Sequence, residues 1–249
     1  MVNTDPSRAR ESALAPVASQ ATLRLGTWPY DPTIALITVT DHAGEIDRTQ
    51  LVNLVDQAKE SGARLIRTGA LRTSGADLVT AIGFRVIDEL LLFECLLDHR
   101  HARRPSRRVR PLHRWHLRHA AAVDRVAFGP RWAHDTAALA DAIGATPFAR
   151  ATRTNERRSP VTGFAVSGLS GSTGYVQRLA VSPAHRHRGL GTTLVADAVA
   201  WMVRRGADRA LVNTSVTNRQ AAALYESCGF VPLAERLLVA EFDLTGPPQ

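Results

Sequence analysis

The segment 175–191 constrains the fold more than any other part of the sequence, because it joins a strand pattern to a helix pattern. A strand-like run ends at Val181, and apolar residues then recur at helical spacing at positions 194, 195, 198, 199, 202 and 203. Gly189 and Gly191, between the two patterns, allow the backbone to approach a ligand closely. The segment therefore predicts a strand, a tight turn and a helix whose first N–H groups are free to bind an anion.

The sequence around this segment predicts a mixed α/β unit. Strands are expected over 112–117, 148–154, 161–167, 175–181, 210–216 and 236–244. Helices are expected over 120–128, 135–143, 192–205 and 218–228. Asn218 is the expected N-cap of the last helix, and Gly206 and Gly229 are expected to end helices.

The N-terminal part repeats the second half of this order. Strands are expected over 34–40, 64–68 and 90–97, with helices over 47–60 and 76–82. Gly62 corresponds to Gly206, and the pair Gly83-Phe84 corresponds to the pair Gly229-Phe230. We interpret the match as a diverged internal duplication; the alternative is a coincidence between two strand–helix–strand units.

The positive charge of the chain is concentrated in one segment. The chain has 31 Lys and Arg against 23 Asp and Glu, a formal charge of +8. Residues 99–123 contain no acidic residue and eight arginines, at positions 100, 103, 104, 107, 108, 110, 114 and 118. A nucleic-acid contact is one interpretation. A solvated interdomain linker over 99–111 is the favoured one, since no aromatic interleaving or RNA-binding signature accompanies the charge.

Several classes of protein are disfavoured by what the sequence contains. No apolar run reaches the roughly 18 residues of a membrane span. Residues 1–20 lack the apolar core of a signal peptide and are expected to form a flexible tail. Two cysteines, Cys95 and Cys228, cannot form a disulfide framework or a four-cysteine zinc site. We therefore expect a cytoplasmic protein with reduced thiols, no membrane contact and no metal.

Two sequence blocks resemble the GNAT family, the GCN-related N-acetyltransferases. The first is similar to the family's coenzyme A motif, and the second, about 27 residues later, is similar to its second signature. The blocks read Arg186-x-x-Gly189-x-Gly191 and Asn218-x-x-Ala221-x-x-Leu224-Tyr225-Glu226-x-x-Gly229-Phe230. Both occur in the family's order with the expected elements between them.

The resemblance implies a fold class and a domain organisation. The fold would be α/β (α+β), with a mixed, mostly antiparallel sheet flanked by helices. The expected domains are a tail over 1–20, a degenerate GNAT-like domain over 21–98, an arginine-rich linker over 99–111 and a catalytic domain over 112–249. The N-terminal domain is expected to bind no coenzyme A, because its strand-to-helix turn carries Asp41, Glu45 and Asp47.

The resemblance also implies roles for individual residues. Backbone groups of Leu179, Ala180 and Val181 would pair with the pantetheine amides of acetyl-CoA. Asn218 would contact the pantetheine arm or a bound water, and Tyr225 would protonate the departing thiolate, although a core-packing role is the alternative for this tyrosine. The pyrophosphate would be held by N–H groups of Arg186, His187, Arg188, Gly189, Leu190, Gly191 and Thr192.

The general base cannot be read from the sequence. Many family members carry a carboxylate on the strand 175–181, where this chain has Gln177 and Arg178. A water chain, Glu156, Asp135 or Glu226 could take the proton. An α-amine with a pKa of about 8 is appreciably neutral near pH 7–8, so a strong base is not required.

The sequence therefore predicts an acyl-CoA-dependent N-acetyltransferase that acts on a primary amine. The block 212–230 is also similar to ribosomal-protein alanine N-acetyltransferases, so the amine could belong to a protein N-terminus. A small amine, such as an amino sugar or a cysteinyl-glycoside, is the other candidate. The alternative function is a non-catalytic module that senses acyl-CoA and binds nucleic acid through the arginine-rich segment.

Overall fold

The computed structural model describes residues 22–39, 45–102, 105, 107–156 and 159–245. In these ranges the strands are β1 Leu23–Trp28, β2 Asp31–Val39, β3 Leu65–Thr68, β4 Arg85–Leu96, β5 Arg110–Pro111, β6 Phe148–Glu156, β7 Ser159–Ser170, β8 Thr173–Val181, β9 Arg209–Ser215 and β10 Val231–Asp243. The α-helices are α1 Arg48–Glu60, α2 Thr73–Ala81, α3 Leu117–Phe128, α4 Thr136–Gly144, α5 Leu190–Arg204 and α6 Arg219–Ser227. Short 3₁₀ helices occur at His99–Ala102, Arg114–His116 and Pro183–His185.

All ten of these strands belong to one sheet, in the order β1-β2-β3-β10-β4-β9-β8-β7-β6-β5. Two neighbouring pairs are parallel, β2 with β3 and β8 with β9, and the others are antiparallel. The expected mixed, mostly antiparallel sheet flanked by helices is confirmed.

The two halves of the chain exchange strands at the centre of the sheet. β4, from the N-terminal half, lies between β9 and β10 of the C-terminal half. β10 in turn lies between β3 and β4. The part of the sheet from β1 to β7 is therefore symmetric about its centre. In it β1 corresponds to β7, β2 to β8, β3 to β9 and β10 to β4. This symmetry supports the hypothesis of an internal duplication.

Three apolar clusters hold the helices on the sheet. α1 and α2 pack on the N-terminal half around Ile37, Leu51 and Ile66. α5 and α6 pack on the C-terminal half around Val195 and Met202 in a cluster that includes Phe93 and Cys95 of β4. α3 and α4 cover β7 and the end of β8. The core of the C-terminal half is thus built partly from residues of the N-terminal half.

Most elements expected from the sequence are present, with ends that differ by a few residues. Asn218, Asp47 and Asp135 are N-caps whose side chains accept hydrogen bonds from the first turns of α6, α1 and α4. Gly206 and Gly229 follow α5 and α6 with φ of +83° and +89°, as helix-ending glycines do.

Two sequence-based assignments in the chain differ from the structure. The strand expected over 112–117 is wrong: His113 begins a helical turn, which continues into α3 at Leu117. β1 and β5 are strands that the sequence analysis did not predict. The expected tail at 1–20 lies outside the described residues.

The strand exchange predicts that residues 112–249 do not fold stably alone. That fragment loses β4 and with it the buried Phe93 and Cys95, so its free energy of unfolding should fall by at least about 4 kcal/mol. A fragment that starts at Arg85 and keeps β4 is the matched control. Thermal denaturation followed by circular dichroism would compare the two, and equal cooperative melting would contradict the prediction.

Candidate functional site

A gap opens between β8 and β9 next to the predicted motif. The two strands pair at Thr173–Tyr175 of β8 with Arg209–Leu211 of β9. Beyond Tyr175 no pairing between them exists in the described chain, although each strand keeps its other neighbour. Leu179, Ala180 and Val181 lie in this unpaired part of β8, with one edge held by β7. Their other edge does not pair with β9, and its pairing with the pantetheine amides stays a prediction.

A β-bulge at Gln177 sets on which face of the sheet the next side chains of β8 lie. The register against β7 shifts between Val166 and Ser167, which pair with Arg178 and Val176 and leave Gln177 as the extra residue. A bulge moves the residues that follow it to the opposite face of the sheet. Val176 accordingly packs in the α5 cluster, whereas Arg178 reaches α3 on the other face.

The start of α5 has the geometry of an anion site. Gly189 is its N-cap, with a left-handed φ of +74°, and a Cβ there would meet no atom within 4 Å. The first intrahelical bond is donated by Thr193 to the Gly189 carbonyl, so the N–H groups of Leu190, Gly191 and Thr192 precede the helical ladder. Oriented N–H groups and the helix dipole at this position suit a pyrophosphate. Binding of a pyrophosphate by these N–H groups stays a prediction.

The basic side chains of the motif mostly brace the loop before α5. Arg186 donates to the carbonyls of Val181 and Ala127, both at 3.4 Å, which ties the end of β8 to α3. Arg188 donates to the Glu156 carboxylate at 3.1 Å. His187 is exposed and has a left-handed φ of +58°. Their backbone role in holding a pyrophosphate stays a prediction.

α5 and α6 meet close to the gap. A Cβ on Gly191 would lie 3.0 Å from a methyl group of Leu224, so the glycine allows the two helices to approach. The Asn218 side-chain oxygen accepts from the Ala221 N–H at 3.2 Å and caps α6. Tyr225, the residue after Leu224, belongs to the apolar cluster that also contains Val195 of α5.

Tyr225 is enclosed by aromatic rings and has a strongly raised pKa. Its side chain is 5% exposed, and its ring lies 6.0 Å from those of both Phe93 and Phe230. Burial raises the pKa of Tyr225, and the Arg178 guanidinium opposes the shift only in part. The phenol therefore stays protonated at neutral pH and is a hydrogen donor. Packing and proton donation are compatible here.

A buried ion pair that the sequence did not predict lies beside this site. Arg178 holds the fully buried carboxylate of Asp124 through two hydrogen bonds of 2.8 and 2.7 Å. It also donates to the carbonyl of Trp132, and its guanidinium lies 3.5 Å from the centre of the Phe128 ring. Only the absence of the expected carboxylate at 177–178 could have drawn attention to this arginine.

Two of the three carboxylates considered as general bases have structural partners. Glu156 lies near Arg188 and near His185, whose Nε2 is 3.4 Å away. Asp135 accepts from the Ala138 N–H as the cap of α4. Glu226 is exposed on α6. None of these contacts assigns a base.

The arginine-rich segment is described only in part, since residues 103, 104 and 106 lie outside the described chain. Its described part ends in an exposed aromatic group: Trp115 is 64% exposed and stacks on His113 with ring centres 4.4 Å apart. Arg114 and Arg118 are exposed beside them. A nucleic-acid contact here stays a prediction.

Other sequence-based expectations concern absences. In the described ranges no helix is long and apolar enough to cross a membrane. No three His, Cys, Asp or Glu side chains of those ranges are grouped as metal ligands would be. In the N-terminal half, Asp47 caps α1, while Asp41 lies outside the described residues.

Comparison with known sequences gives a family and partial relatives. A family model described as Acetyltransferase (GNAT) family matches residues 112–230. N-alpha-acetyltransferase 30 of Xenopus laevis is 43% identical over 58 residues, which are 23% of this chain and 21% of that protein. The human N-alpha-acetyltransferase 30 has the same identity over 58 residues and is covered to 16%. The matched part thus spans about a fifth of these relatives or less.

Solved structures match over most of the chain. A tandem GNAT protein from the clavulanic acid biosynthesis pathway superposes with a TM-score of 0.60 and 14% identity, covering 92% of this chain and 80% of that one. A GCN5-related N-acetyltransferase from Sphaerobacter thermophilus gives 0.56 and 15%, covering 90% and 76%. At these identities the likeness establishes the fold.

The buried cluster around Arg178 predicts a pH-dependent stability. Burial lowers the pKa of His134 to about 3, with a smaller contribution from Arg178, so the folded protein keeps this histidine neutral. The unfolded chain binds its proton near pH 6.5. Stability is therefore full above pH 6.5 and falls toward pH 3, by up to about 1.4 kcal/mol per pH unit.

Denaturant unfolding of the wild type and of His134→Gln between pH 7 and 4.5 checks this contribution. In the variant, the unfolding free energy should depend less steeply on pH, by the contribution of the one proton that His134 binds on unfolding. Equal slopes in the two proteins would contradict the prediction.

Proposed function

Residues 112–230 form an acetyltransferase domain of the GNAT family, and from this premise we propose that the protein transfers an acetyl group from acetyl-CoA directly to a primary amine. The observation that carries the proposal is the combination of an unpaired β8 edge, the free start of α5 and a buried phenol, Tyr225 of α6, within electrostatic reach of Arg178 on β8. The edge and the helix start fit the two polar parts of acetyl-CoA, its pantetheine amides and its pyrophosphate. Asn218 lies at the far side of the gap, at the start of α6.

The chain's own groups suffice for the transfer. A neutral amine attacks the thioester carbonyl, a tetrahedral oxyanion forms, and the carbon–sulfur bond then breaks. The thiolate that leaves resembles cysteine, with a pKa of about 8.5, and Tyr225 donates its phenolic proton to it. Water returns a proton to the tyrosine, and the amine loses its extra proton to solvent. Burial keeps the Tyr225 phenol protonated until transfer, and because a phenolate is disfavoured in its apolar surroundings, the proton that it gives up must be replaced as the thiol leaves.

The acceptor is a primary amine of a protein N-terminus or of a small molecule. The likeness to N-alpha-acetyltransferase 30 supports a protein N-terminus, since that relative is named for N-alpha acetylation. The likeness of the fold to a tandem GNAT protein from a biosynthetic pathway supports a small molecule. The cytoplasmic location expected from the sequence suits either acceptor.

We infer that the N-terminal half is a degenerate second GNAT unit without a coenzyme A site. Its elements β2, α1, β3, α2 and β4 follow the order of β8, α5, β9, α6 and β10. α1 begins with Asp47, whose carboxylate accepts from the N–H groups of Thr49 and Gln50. A carboxylate therefore occupies the position where α5 offers free N–H groups.

Thr192→Glu should weaken binding of acetyl-CoA without unfolding the protein. Thr192 is exposed in the first turn of α5, where a carboxylate stabilises the helix by about 0.3–1 kcal/mol and repels a pyrophosphate. Calorimetric titration should give an affinity at least about tenfold weaker.

Thr192→Gln is the matched control, because it has the same shape without the charge. It should bind acetyl-CoA as the wild type does. Equal binding by the glutamate variant would place the pyrophosphate elsewhere.

Tyr225→Phe should slow acetyl transfer and leave acetyl-CoA binding unchanged. The ring and its contacts with Phe93 and Phe230 remain, and only the proton donor is removed. Thiol release with an amine acceptor should show a kcat lower by about 10²-fold. An unchanged kcat would leave Tyr225 as a packing residue.

A further inference from the structure

A cavity lies between the two halves of the chain and is not part of the acetyl-CoA site. Its volume is about 360 Å³. The turn between β1 and β2 forms one wall, with Trp28 and Tyr30, and Arg67 of β3 lies at its base. The opposite wall comes from the C-terminal half, with Arg125 at the end of α3 and Arg131 in the loop that follows. Volumes of this size are typical of small-molecule sites.

The walls of this cavity are fixed by contacts between the halves. The Trp28 indole donates to the carbonyl of Arg131 at 3.1 Å, and the Tyr30 hydroxyl donates to that of His134 at 3.4 Å. Tyr30 holds a left-handed φ of +63°, which bulky residues rarely adopt. Arg67 is buried, donates to the Glu241 carboxylate at 3.0 Å, and stacks 4.3 Å from the Trp28 ring. The cavity is therefore preformed.

Two of the arginines lie over aromatic rings and have no ion-pair partner in the described part of the chain. Arg125 lies 5.1 Å from the centre of the Tyr30 ring, and Arg131 lies 5.3 Å from that of Trp132. In the described part of the chain neither has a carboxylate within 4.0 Å, whereas Asp31 on the rim is paired with Arg64. A guanidinium packed on an aromatic ring keeps N–H donors for a planar or tetrahedral anion.

The cavity borders the region where transfer would occur. Trp132 packs edge-on against Trp28 at 5.7 Å, and its carbonyl accepts from Arg178 at 2.7 Å. Arg178 in turn acts electrostatically on Tyr225. Trp132 thus contacts both the wall of the cavity and the Arg178–Asp124 ion pair. That ion pair lies beside the proposed proton donor.

We propose that this cavity binds the anionic group, a carboxylate or phosphate, of a small acceptor that presents its amine to the thioester. The proposal rests on the proposed function and defines its substrate class. Arg125 and Arg131 would bind the anion, and the Trp28 and Tyr30 rings would contact the acceptor's apolar or sugar part. This assigns the N-terminal half the task of completing the acceptor site.

Binding of matched probe pairs to the protein loaded with coenzyme A tests the proposal without turnover. The pairs are phenylalanine with phenylalaninamide, and glucosamine 6-phosphate with glucosamine; each pair shares its amine and differs in the anionic group. Calorimetry should show the anionic member of at least one pair binding at least tenfold more tightly. Equal affinities within both pairs, or no binding of either anionic probe at millimolar concentration, would overturn the proposal.

Variants of the cavity arginines test whether the anionic probes bind in this cavity. Arg125→Gln with Arg131→Gln should remove the preference and leave the affinity for coenzyme A unchanged, whereas Arg48→Gln, at an exposed arginine of α1, should keep the preference. A preference that survives the double variant would also overturn the proposal. Anion-selective binding without thiol release from acetyl-CoA would instead refute the acceptor assignment and the proposed function, while leaving the anion site itself established.

Discussion

The antiparallel pairing of β4 with β10 is the interaction on which the rest of the structure depends. It joins the two halves at the middle of the sheet. β4 also pairs with β9 of the C-terminal half, and β10 also pairs with β3 of the N-terminal half. Because Phe93 of β4 contacts Tyr225, the N-terminal half supplies part of the packing around the proposed proton donor. The halves are therefore not separable in the way that a linker between independent domains would allow.

The local parts of this arrangement could be predicted because their signals are contiguous in the sequence. β8, the glycine turn and α5 follow one another, and the caps at Asn218, Asp135 and Asp47 are each adjacent to the helix they begin. The strand exchange could not be predicted in this way. β4 and β10 are more than a hundred residues apart, and an apolar strand pattern carries no information about which neighbour it pairs with.

One part of the candidate site could likewise be predicted from the sequence, and another part could not. The start of α5, which we propose as the pyrophosphate site, could be predicted from the glycine spacing, since it depends on one short segment. The bulge at Gln177 has no sequence signal, yet it decides that Arg178 faces α3 and not α5. From the sequence, Asp124 is only one position in the helix expected over 120–128, because its partner lies 54 residues away. Buried ion pairs join distant residues, and sequence periodicity does not identify their partners.

The Arg178–Asp124 pair has a physical role that follows from its burial. Taking both charges out of water is unfavourable, and the pair is retained only because two hydrogen bonds, the Trp132 carbonyl and the His134 N–H satisfy its polar atoms. These same contacts fix the loop from Gly129 to Asp135 against β8. That loop carries Trp132 into contact with Trp28 of the other half. The position normally associated with a carboxylate base thus holds, in this chain, a cation that sets the geometry of the surface where the two halves meet.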